Sequence, residues 1–154
     1  MMLRRRRLLV AASAAAIWWL AAANRLGAFD LNAIRKEVSL ERRSELALAN
    51  ADAALDRARK AYLNGEDGLF HSSVLEVGES IDLCKQSLDN SGRNARKSPK
   101  YFKKAEIGIR RLSRRLDSLR IEVSVDDRPV LDPIVSRAHQ LQEEILLAIM
   151  GKKN

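Results

Sequence analysis

The sequence predicts an all-α protein, an antiparallel helical bundle that follows an N-terminal signal or anchor segment. Three observations carry this reading. Long segments place apolar residues at alternating steps of three and four, which draws a stripe down one side of a helix. The breaks between them hold turn-forming residues. Ile121 to Val125 alternates as a strand would, but no second strand exists to pair with it, so it reads as the frayed end of a helix. Four helices, or three core helices with a loosely attached first one, fit the pattern. The 154-residue chain divides into a leader, residues 1–28, and a bundle domain, residues 29–154.

The leader begins with Arg4 to Arg7 and continues as an apolar run from Leu8 to Ala23, broken only by Ser13. That order is the pattern of an export signal, and Ala21 with Ala23 offers a cleavage site. The rival reading is an uncleaved anchor, although 16 residues span about 24 Å as a helix against a hydrocarbon core of about 30 Å. Under both readings the arginines hold the N-terminus in the cytoplasm and send the remainder outward. The expected location is therefore periplasmic, or tethered to the inner membrane and facing out. Trp18 and Trp19 both lie in the leader, so cleavage leaves a mature chain without tryptophan.

A formal charge of +8 and a pI near 10.1 raise nucleic acid as a partner. Cleavage after Ala23 leaves 24 basic against 20 acidic residues, or +4, and much of that argument goes with the leader. Nucleic acid is thus not the expected partner. Cys84 is the sole cysteine, so no internal disulfide can form and the fold must rest on packing.

Each element has its own justification. Asp30 is an N-cap for a helical stretch running from Leu31 to Leu63 without Gly or Pro. Its second half repeats Leu48, Leu55 and Tyr62 every seven residues, with Ala51 and Ala58 between, a narrow coiled-coil-like seam that permits close approach of a neighbour. Its first half is irregular and reads as a linker that frays. Asn64 to Gly68 is a turn, with Gly65 suited to the left-handed conformation. Phe70, Val74, Val77, Ile81, Cys84 and Leu88 then mark a second helix. After the polar break Asp89 to Lys97, Ser98 and Pro99 open a third by capping and by a proline at the first position. Its seam is Phe102, Ala105, Ile109, Leu112, Leu116 and Leu119. Asp126, Asp127 and Pro129 open a fourth, whose seam is Leu131, Ile134, Ala138, Leu141, Ile145 and Ala148, and Gly151 closes it.

The third helix concentrates the charge. Arg93 to Arg120 holds eleven basic residues and two acids. With Phe102 and Ala105 at heptad positions a and d, Lys103 and Arg110 fall at b, Lys104 and Arg111 at c, and Lys100 and Arg114 at f. These six face outward, too far round the helix to pair within the chain, so they form either a solvated face or a docking surface for something anionic. Arg115 and Arg120 flank the seam, where acidic neighbouring helices can pair with them. Tyr101 and Phe102 are the only aromatics nearby, which gives little for base stacking.

Nothing here points to catalysis. Cys84 sits on an apolar seam, as a buried inert thiol does. His139 and Glu143 share a helix face at a metal-compatible spacing, yet two ligands make a poor site, and no metal or other cofactor is expected. No nucleophile and base pair can be singled out from two histidines.

The stretches KSPKYFKKAEIGIRRLSRRLDSL, VDDRPVLDPIVSR and ILLAIM resemble an uncharacterised bacterial family of exported helical proteins, over roughly the last two thirds of the chain. That resemblance implies an export signal followed by a helical domain and brings no activity with it. AYLNGED also resembles the inter-helix turn of a tetratricopeptide repeat, although one unit cannot make a solenoid. The expected role is a non-enzymatic interaction protein of the cell envelope, binding a protein or anionic envelope component through the basic face. A membrane-surface protein held by residues 8–23 against anionic lipid, a homo-oligomer and an enzyme are the alternatives.

Overall fold

In the computed structural model, which describes residues 30–151, every regular element is a helix: α1 (Leu31–Arg35), α2 (Leu40–Leu63), α3 (Asp67–Asn90), α4 (Pro99–Glu122) and α5 (Arg128–Met150). The leader read at residues 1–28 lies outside the described residues. No helix among those described is long and apolar enough to cross a membrane.

The stretch read as one helix from Leu31 to Leu63 is two. Lys36 ends α1, and Ser39 caps α2 by accepting a hydrogen bond from the Arg42 N–H at 3.2 Å. The Arg43 guanidinium donates to the Glu37 carbonyl and fixes the corner. A serine before charged residues is a weak signal for such a break, because nothing there forbids helix. Nor does α1 simply fray, since Ile34 is buried and Arg35 reaches Glu79 of α3 at 3.4 Å.

The other boundaries fall within two or three residues of where the sequence places them: Asp67 and Gly68 of the turn and Asp89 and Asn90 of the polar break are helical, and the stretch read as a frayed end leaves helix at Val123. Asp30 accepts from the Asn32 N–H at 2.9 Å, as an N-cap should. Ser98 and Asp127 hold the cap positions without making the side-chain bond. Ser124 serves instead at the start of α5: its hydroxyl accepts from the Asp127 N–H and donates to the Asp127 carboxylate. Gly65 and Gly151 take positive φ angles, 71° and 70°, at two helix ends.

Partner numbering reveals the direction of each helix. Glu45 meets Lys104, Asp52 meets Arg111 and Asp56 meets Arg115, each pair 59 residues apart, so α2 and α4 run parallel. Lys85 with Glu144 and Asp82 with Arg137 likewise make α3 and α5 parallel. Between α2 and α3 the numbers run oppositely, Asn50 meeting Ser80 while Arg57 meets Glu76. Asp117 with His139 and Arg120 with Asp132 make α4 and α5 antiparallel too. The bundle is therefore two antiparallel hairpins, α2/α3 and α4/α5, laid side by side. Directions alternate along the chain as expected, but both contacts between hairpins are parallel. The loop 91–98 links α3 to α4, which have little direct contact.

All six seam residues of α3 and of α4 are buried, and five of the six assigned to α5; Ala148 is exposed. The α2/α3 interface is the most extensive. Ala47, Ala51, Ala54, Ala58 and Ala61 line α2, while Ser73, Ser80 and Ser87 recur every seven residues on α3, all of them buried. Small side chains on both sides let the backbones approach. The Ser80 and Ser87 hydroxyls donate to carbonyls of their own helix, so their burial leaves no donor unpaired. Between hairpins, Gly78 and Gly108 mark the close points: a Cβ there would lie 2.7 Å from Ile134 Cδ1 and 2.8 Å from Leu48 Cδ1.

Candidate functional site: the two basic faces of α4

The cations of α4 divide into two sets. On the side toward α2, Lys104 pairs with Glu45 at 2.6 Å and Arg111 with Asp52 at 2.6 Å. Arg115 reaches both Asp52, at 2.7 Å, and Asp56. Burial opposes the charge on Arg115, but the hydrogen bonds it donates to Asp52 and Asp56 and their negative charge outweigh it and raise its pKa above the ordinary value. On the side toward α5, Arg120 pairs with Asp132 at 2.5 Å.

Three members of the outward stripe are thus not free, contrary to the expectation from heptad positions. Lys104 and Arg111 find carboxylates on α2, and Arg110 meets Glu106 of its own helix at 3.5 Å. The physical reason is reach. A c-position side chain extends several ångströms along a neighbouring helix when that helix is parallel and carries acids in the same register. Glu45, Asp52 and Asp56 supply that register. The acids that pair with Arg115 come from α2, whereas Arg120 pairs with Asp132 of α5.

Lys100, Lys103 and Arg114 remain exposed, with no ion-pair partner among the described residues. The f positions of α4 read Lys100, Ile107, Arg114 and Ile121, so two isoleucines sit in the same row as the free cations. Ile107 is 55% exposed and Ile121 75%, and Val125 just beyond the helix is 71% exposed. The seam pattern leaves Ile107 unassigned, and an apolar residue at an f position is the signal that marks it; Ile121 and Val125 belong to the stretch read as a frayed helix end, and the helix stops at Glu122 within it. Tyr101, by contrast, is buried, its hydroxyl 3.3 Å from Ser44 Oγ and donating to the Leu40 carbonyl at 3.2 Å. It offers no ring to a base.

Beside this stripe a groove of about 240 Å³ opens between α2 and α4. Leu48, Ala49, Ala105 and Gly108 floor it, Ile107 stands at its edge, and Glu45, Lys104 and Arg111 form a charged rim. The two helices touch closely at Gly108 and Leu48, which leaves the space beside that contact unfilled.

The residues considered for chemistry lie apart. Cys84 is fully buried, and burial pushes its thiol up to about 12 from an ordinary 9.0. The native thiol is expected to resist iodoacetamide at pH 8 and to react on unfolding in urea, as mass spectrometry will read. The shift also sets a pH dependence. Below pH 9 both states keep the proton; from pH 9 toward 12 the unfolded chain releases it while the folded chain holds it, so stability falls as pH rises. His139 Nε2 lies 3.1 Å from both Asp117 carboxylate oxygens rather than joining Glu143. No group of three metal-ligating side chains occurs among the described residues.

Comparison with family models, curated proteins and solved structures finds no match.

Proposed function

We propose that this chain is an exported, non-enzymatic interaction protein of the cell envelope that docks an acidic protein partner through the outer face of α4. The observation that carries the reading is the free set: Lys100, Lys103 and Arg114 surround the exposed Ile107 and take no part in holding the bundle. Interfaces of this kind pair an apolar contact with charges that steer the encounter. Lys104, Arg110 and Arg111, the other members of the stripe, contribute field rather than vacancy, since each already faces a carboxylate.

Charge reversal of the free set tests it. Full-length protein carrying K100E, K103E and R114E is expected to lose at least about tenfold in salt-sensitive retention on the envelope fraction of the source cells. That follows from roughly 0.5–1 kcal/mol per exposed contact. Retention equal to wild type defeats the proposal.

A second reading, a bundle lying on anionic lipid, is favoured by Ile121 and Val125, which extend the apolar part of the stripe. Flotation of the protein with neutral and with phosphatidylglycerol vesicles separates the two: a partner protein requires no dependence on the anionic lipid.

A further inference from the structure

The groove between α2 and α4 shares Ile107 with the stripe of free cations, and its dimensions limit what can enter. At about 240 Å³ it falls below the range of drug-sized sites, about 300–1,000 Å³, yet it admits one aliphatic or aromatic side chain. We propose that it is an anchor pocket for a single apolar side chain from an acidic helical segment of a partner protein. This rests on the reading of α4 as a docking face and specifies the chemistry of what docks.

Charge complementarity chooses the occupant. Lys103 and Arg114 stand 11 positions apart on α4, about 16 Å along its axis, with Ile107 between them at four and seven positions. A partner helix lying along α4 meets both cations if it carries carboxylates 11 residues apart. An apolar residue four from one and seven from the other shares that face and meets Ile107, which lines the groove. The rim pairs of Lys104 with Glu45 and Arg111 with Asp52 leave both cations well exposed, at 65% and 63% of their side chains, so incoming carboxylates can share them at little cost.

The test places the photo-crosslinker p-benzoylphenylalanine at Ile107 of the full chain in the source cells, with Leu75 of α3, 60% exposed, as the off-site control. The expected result is one protein adduct from position 107 and none from 75, mapping to a peptide with carboxylates at the stated spacing. Ala49→Leu, which fills the groove without touching the stripe, is expected to lower the adduct yield at least about fivefold with melting unchanged; Ala49→Met replaces it if leucine shifts melting. If K100E/K103E/R114E removes the adduct and the groove variants do not, docking stands and the anchor pocket is wrong. If neither lowers it, both fall. An adduct only to lipid, polysaccharide or a second copy of the chain also overturns the proposal.

Discussion

Phe70→Ala is expected to lower the stability of the bundle by about 3–5 kcal/mol, the usual cost of emptying a core phenylalanine site. Phe70 is 1% exposed in the first turn of α3, where the chain has just reversed at Gly65. Its ring packs at a tilt against Tyr62, with centroids 5.3 Å apart, and so joins the end of α2 to the start of α3. Alanine would leave a cavity beside side chains held by two helices, which cannot easily close in. A loss of that size is a large part of a domain's total stability, and the melting temperature should fall by about 10–20 °C. Leu75→Ala, on the exposed side of the same helix, should change the unfolding free energy measured in urea by no more than about 0.5 kcal/mol.

Reversing Arg111 and Arg115 to glutamate is expected to cost about 2–4 kcal/mol, an unusual amount for residues on a charged surface. The variant removes three ion pairs to Asp52 and Asp56 and sets two new carboxylates against them. Exposed pairs contribute little singly. Here, however, the Asp52 side chain is only 19% exposed, and without its arginines it becomes a poorly solvated, unpaired charge. Lys104 with Glu45, Arg59 with Glu122 and the Tyr101 hydroxyl also join α2 to α4, while the groove leaves the stretch beside Gly108 unpacked. Reversing Asp52 to arginine in the same background should restore part of the loss, which a double-mutant cycle measures.

The helices were legible because their seams are. Phe70 to Leu88 and Phe102 to Leu119 keep strict three-four spacing, and every residue of these two seams is buried. The break at Ser39 was not legible, since Lys36 to Glu41 contains nothing that forbids helix and depends on Ile34 finding a place in the core. Side-by-side order was the larger omission. A seam states that a helix has neighbours without stating which ones, so the acids of α2 could not be assigned to the cations of α4. Glu45, Asp52 and Asp56 were visible as residues, but their meaning required the parallel register of the two helices. For the same reason the heptad pattern draws the docking stripe too wide, and it assigns no role to the exposed Ile107.

That α4 uses one set of cations to hold the bundle and another to face outward is tested most directly by urea midpoints of two charge-reversal variants. K100E/K103E/R114E is expected to keep an unfolding free energy within about 0.5 kcal/mol of wild type, while R111E/R115E loses about 2–4 kcal/mol. Equal midpoints for the two variants, or a larger loss in the first, would contradict it.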